Sequence, residues 1–123
     1  MKNCLLIIGL LFLASCYKTL TMEGFDKEKW SNYESDCSTY RMDVVNLIVE
    51  NQEVLLKGTQ NDVESLLGRP GENELYDRNQ KFFHYRLTPP DTCGSYETIQ
   101  YLSVRFNAIG RANLVQVMLR EAQ

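Results

Sequence analysis

Leu55-Leu56-Lys57-Gly58-Thr59-Gln60-Asn61-Asp62-Val63-Glu64-Ser65-Leu66-Leu67-Gly68-Arg69-Pro70 carries the signals for both ends of one helix. The Thr59 hydroxyl can accept from a free backbone N–H of the first turn, and the Asp62 carboxylate sits at the positive end of the helix dipole. Val63, Leu66 and Leu67 then share one face. Gly68 is expected to close the helix in the left-handed conformation, and Pro70 cannot continue it. Beyond Pro70 the apolar period changes to two. Phe83, Tyr85 and Leu87 alternate with Phe82, His84 and Arg86, which predicts a strand. After Pro89-Pro90 and a polar loop, Leu102, Val104 and Phe106 alternate with Tyr101, Ser103 and Arg105. A turn at Asn107 to Gly110 joins this strand to Val115, Val117 and Leu119, giving an antiparallel hairpin. Glu74 to Tyr76 adds a short strand.

Upstream, Val44, Leu47, Ile48 and Asn51 recur at helical spacing within Arg41 to Gln52. The β-branched residues there also suit a buried strand, but the length of the segment favours a helix. Phe25 to Tyr33 is compatible with a short helix capped by Asp26. Helices first and antiparallel strands second predict an α+β fold. It is a two-layer sandwich of N-terminal helices on a three- to four-stranded antiparallel sheet, with the other sheet face open to water or a partner.

The chain has 123 residues, 44% of them hydrophobic and 24% charged, which suits one globular domain rather than a disordered chain. A net charge of −3 offers no broad cationic surface, and no nucleic-acid partner is expected. At the start, Lys2 precedes an apolar run from Leu5 to Ala14. That run is shorter than the roughly 20 residues of a membrane-spanning helix and fits the core of a secretory signal. Leu13-Ala14-Ser15-Cys16 resembles the bacterial lipobox, in which the cysteine receives a diacylglyceryl thioether and becomes the new N-terminus. The expected organisation is a signal peptide over 1–15, a lipidated tether over 16–24 and a domain over 25–123. The polar stretch from Tyr17 to Gly24 would reach at most roughly 28 Å at full extension.

Four cysteines are then accounted for. Cys4 leaves with the signal, Cys16 carries lipid, and Cys37 and Cys93 remain as a pair. In an oxidising compartment two leftover thiols are expected to bond. The bridge closes a loop of roughly 57 residues, for which the chain-entropy estimate is about 4 kcal/mol. Metal binding is the rival use, but there is no C-x-x-C pair and one histidine, so no metal and no cofactor are expected.

Nucleophile–base motifs and phosphate-cradling glycine loops are missing from the sequence, and a non-enzymatic role is expected. His84 reads as a strand residue on the exposed sheet face. The acidic cluster Glu72, Glu74 and Asp77 reads as a solvated loop. With Leu102, Val104 and Phe106 turned to the helices, Phe82, His84, Arg86, Tyr101, Ser103, Arg105, Gln116 and Met118 share the other face. Aromatics, methionine and arginine are enriched at protein contacts, so Phe82, His84, Arg86, Tyr101, Arg105 and Met118 form a candidate partner-binding face. Ordinary cross-strand pairs on an outer face are the competing explanation.

The order lipobox, two helices, three antiparallel strands, with L-x-x-G-T-x-x-x-V-x-x-L-L-G-x-P at Leu55 to Pro70 and L-x-V-x-F-x-x-x-G at Leu102 to Gly110, resembles the BamE/SmpA small outer-membrane lipoproteins. The same fold occurs doubled in β-lactamase-inhibitor-like proteins. The similarity covers roughly residues 40 to 119, and Trp30, Cys37, Arg41 and Cys93 look like features of a subgroup. The resemblance implies a lipid-anchored, non-enzymatic accessory of outer-membrane β-barrel assembly in contact with an envelope protein; because Cys16 is followed by Tyr17 and no acidic run, the periplasmic face of the outer membrane is the expected location. The Cys37–Cys93 pair and the N-terminal segment with Trp30 depart from that pattern. The alternative it leaves is an inhibitor or binding module docked on an envelope enzyme.

Overall fold

The computed structural model describes residues 19–122. The expected signal peptide and the lipidation site Cys16 lie outside the described residues. Among the described residues four α-helices precede four strands: α1 (Lys27–Ser31), α2 (Tyr33–Asp36), α3 (Tyr40–Glu50), α4 (Gln60–Leu67), β1 (Glu72–Tyr76), β2 (Gln80–Arg86), β3 (Thr98–Phe106) and β4 (Ala112–Glu121). The strands form one antiparallel meander in the order β1-β2-β3-β4. The fold is α+β, with the helical layer N-terminal to the sheet in sequence.

Local chemistry sets most of the boundaries. Asp26 caps α1 by accepting from Lys29 N. The expected helix through Tyr33 is instead two short helices meeting at Asn32, and Cys37 closes α2 with φ 50°. The Thr59/Asp62 capping box of α4 forms in both directions. Gly68 does have a positive φ, 74°, but its ψ of −172° puts it outside the left-handed helical well, in a region open essentially to glycine alone. The carbonyls at the end of α4 find donors elsewhere: Trp30 Nε1 donates to Leu67 O at 2.9 Å and Tyr85 Oη to Gly68 O at 2.8 Å. Two of the orphan acceptors that every helix C-terminus presents are thereby satisfied inside the protein.

The core lies between the layers. Trp30, Ile48, Leu55, Val63, Tyr85, Leu87, Leu102, Val104 and Phe106 are fully buried, and Phe83 packs edge-on against Phe106 at 4.7 Å. At one end, Lys57 N donates to Ala112 O and Ala112 N to Gly58 O, which clamps the start of α4 onto β4. The expected boundary between tether and domain shifts. Met22 is buried in the core, and Leu20 N donates to Ser65 Oγ of α4 at 3.2 Å. The domain therefore begins by Leu20, because burial of two apolar side chains outweighs the freedom that a polar-looking stretch suggested.

Burial also governs the tyrosines beside Trp30. It pushes the phenol of Tyr85 well above its usual value, reinforced by Glu64 and opposed by Arg41. It raises that of Tyr33 as well, against the pull of Arg41. A phenol with a raised folded pKa contributes stability that is complete below about pH 10 and is lost as pH climbs through the folded value. In a spectrophotometric titration, Tyr85 is expected to ionise only together with unfolding, after most of the seven tyrosines. Tyr85→Phe should remove that late step; its persistence would refute the assignment.

Candidate binding face

The sheet surface turned away from the helices gathers residues from all four strands. Register places Glu72 and Glu74 of β1 opposite His84 and Phe82 of β2. It places Arg86, His84 and Phe82 opposite Tyr101, Ser103 and Arg105 of β3, and those opposite Met118, Gln116 and Leu114 of β4. All six residues of the expected partner-binding face are thus on one side of the sheet.

His84 differs from expectation. It lies on the outer face, yet only 1% of it is exposed. Its Nε2 meets Glu74 Oε2 at 2.8 Å and its Nδ1 meets Ser103 Oγ at 2.6 Å. The Ser103 hydroxyl also lies 3.2 Å from Met118 Sδ. Phe82 stacks on the imidazole at 5.6 Å and Tyr101 meets it edge-on at 6.5 Å. The side chains of the neighbouring strands bury a residue that alternation alone would have left in water.

Glutamate, histidine and serine in a row are the residue types of a hydrolytic triad, and each ring nitrogen meets one of the other two, but Ser103 is 0% exposed, so its hydroxyl is closed to a substrate in this arrangement. The row links β1, β2, β3 and β4 as cross-strand contacts.

The acidic cluster is likewise redistributed. Glu72 and Glu74 belong to β1 rather than to a loop, and each has a partner. Glu72 pairs with Arg120 at 2.8 Å, while Glu74 holds His84. Among the described residues no three His, Cys, Asp or Glu side chains gather as metal ligands.

The same face carries a row of rings that passes through His84. Tyr76 meets Phe82 edge-on at 5.6 Å, Phe82 stacks on His84, His84 touches Tyr101, and the Arg120 guanidinium lies 4.6 Å above the Tyr101 ring. Tyr76 and Arg120 were not anticipated from the sequence. They stand on edge strands, and only the register shows that they extend the row.

The remaining arginines are held in place. Arg86 donates to Thr88 O, to Pro89 O and to Asp91 at 2.9 Å, and Arg105 donates to Asn113 Oδ1 at 3.0 Å. A hollow of about 330 Å³ opens beside the row, lined by Arg86, Asp91, Ile99, Tyr101, Arg120 and Glu121.

The expected sulfur pair is joined. Cys37 and Cys93 form a disulfide between the end of α2 and the β2–β3 loop. Next to it Arg41 is 8% exposed, its guanidinium 3.6 Å from the Tyr33 ring centroid and 4.4 Å from that of Trp30. Arg41 donates to Trp30 O at 2.9 Å and to Arg86 O at 3.0 Å. Burial brings its pKa down to about 10. At neutral pH it remains a cation.

No family model, curated protein or solved structure matches the chain.

Proposed function

We propose that the protein is a lipid-anchored component of the bacterial envelope that works by protein contact through the outer sheet face. The row Tyr76–Phe82–His84–Tyr101–Arg120 carries this reading. Polar groups along the row already have partners inside the fold, so a protein that covers them strands few donors or acceptors. The rings are preset by stacking, which lowers the ordering entropy lost on docking. The adjoining hollow offers a recess for one anchoring side chain. The lipobox-like Leu13-Ala14-Ser15-Cys16 supplies the anchor. With Leu20 already fixed to α4, the connection from Cys16 spans about 14 Å at most. Such a leash keeps the face close to the bilayer. Following the family resemblance, the partner is a subunit of the machinery that inserts β-barrel proteins; an envelope enzyme is the alternative.

Two arms test this. Cys16→Ser should release the chain from the membrane fraction, whereas retention would remove the anchor. Crosslinking in intact cells followed by capture should recover a barrel-assembly subunit from the wild type and lose it with Tyr76→Ala combined with Arg105→Ala, at an unchanged melting temperature. Capture of one envelope enzyme favours the alternative; undiminished capture by the double variant overturns the face.

A further inference from the structure

We infer that two copies of the chain associate through antiparallel pairing of their β4 strands into one continuous sheet. β4 runs for ten residues at the edge of the sheet. Natural edge strands are usually shielded by lysine, proline, a bulge or brevity. Leu114 to Leu119 contains no lysine, proline or charged residue. The one irregularity in the β3–β4 ladder falls between Arg105 and Phe106, across from the start of β4.

The apolar side chains of β4 are left half uncovered. On the side facing the helices, Val115 is buried, but Val117 is 42% and Leu119 65% exposed. Met42 and Val49 of α3, both partly buried, belong to the apolar cluster of the helical layer.

The strand is complementary to itself in a single register. A two-fold axis perpendicular to the sheet keeps both helical layers on the same side, so each residue must meet one of matching parity. With the axis at Val117, Val117 meets its own copy, Val115 meets Leu119, Gln116 meets Met118, Leu114 meets Arg120 and Asn113 meets Glu121. No like charges oppose, and the helix-side stripe becomes six apolar side chains. Moving the axis to Met118 sets Val115 against Glu121. Moving it to Gln116 sets Leu119 against Asn113. Because the contact is isologous it closes at two copies. The other edge, β1, is five residues long and places Glu72 and Glu74 on its outer face, so it offers no comparable match.

Residues opposed across antiparallel strands have Cα atoms about 4.5 to 5.5 Å apart. That separation lies within the range of about 4.4 to 6.8 Å that a disulfide spans. In the full-length chain expressed in its envelope and oxidised mildly, Val117→Cys should therefore move most of the protein to twice the monomer mass on a non-reducing gel. Ile109→Cys, 82% exposed on the β3–β4 turn, should not. Chains carrying Val115→Cys should link to chains carrying Leu119→Cys when the two are co-expressed, and neither should link to itself. Adding Leu119→Lys to Val117→Cys should abolish the dimer while the circular-dichroism melt persists. Equal yields from Val117→Cys and Ile109→Cys, or linkage of Val117→Cys to a protein of another mass, would overturn the pairing.

Discussion

Replacing Arg41 by alanine is expected to cost about 2 to 4 kcal/mol of folding free energy. Two carbonyls, Trp30 O and Arg86 O, depend on its guanidinium, and a buried acceptor left unpaired costs about 1 to 3 kcal/mol. The stacking between Tyr33 and Trp30 is lost as well, a desolvated cation–π contact being worth about 2 kcal/mol. Relief of the desolvation that lowers the Arg41 pKa offsets part of this sum. Lysine should recover less than half, since an ammonium on a flexible stem does not present the planar fork that serves two carbonyls while lying flat between rings. Arg41→Met separates the two effects. It removes the buried charge and keeps volume, yet leaves both carbonyls orphaned, so it too should be destabilised. Urea melts of the three variants check the order. A methionine variant as stable as the wild type would mean that the cost of burying the cation outweighs its bonds.

Arg41 also shows where legibility ends. Its place at the start of a helix was readable from the Val44–Leu47–Ile48 spacing, but an arginine at a helix start ordinarily points to solvent. What buries it is Trp30, eleven positions away, and the carbonyl of Arg86 on a strand. Neither contact has a local signal. The α4 helix stands at the other extreme. Thr59 and Asp62 act on their immediate neighbours, so its start followed from short-range chemistry; Gly68 ends it at the expected position but in another conformation, with the last carbonyls taken by the distant Trp30 and Tyr85.

Alternation likewise fixed which residues of β2 and β3 share a face, because a period of two permits only one division. It did not reveal that His84 is buried. That depends on Glu74, Phe82, Ser103 and Tyr101 converging from three strands, hence on a register that sequence leaves open. Met22 fails for the related reason that one methionine in a polar stretch has no period to read.

Loss of the Cys37–Cys93 bridge is expected to lower stability by about 2 to 4 kcal/mol, which for a domain of this size corresponds to a fall in melting temperature of roughly 10 to 25 °C. The bridged residues lie 56 positions apart, so the unfolded chain gains much freedom when the bond is cut. The folded state has reason to suffer as well. α2 is four residues long and too short to persist without an external tie, and Cys37, which closes it, sits at φ 50°. The partner segment is a loop whose own anchors are Arg86, reaching Thr88 O, Pro89 O and Asp91, and the Thr88 hydroxyl, accepting from Gln100 N.

Disulfide and Arg41 thus pin the same corner, one covalently and one through carbonyls on both layers, and their losses should not simply add. Reduction of the wild type should lower its melting temperature, with no such effect on a Cys37→Ala and Cys93→Ala double variant. Hydrogen exchange should accelerate first at residues 32–39 and 88–97, while the β3–β4 ladder keeps its protection. The same melting temperature with and without reductant would show that the rings and carbonyls around Arg41 hold this corner unaided. Uniform loss of protection would show instead that the corner and the sheet unfold as one unit.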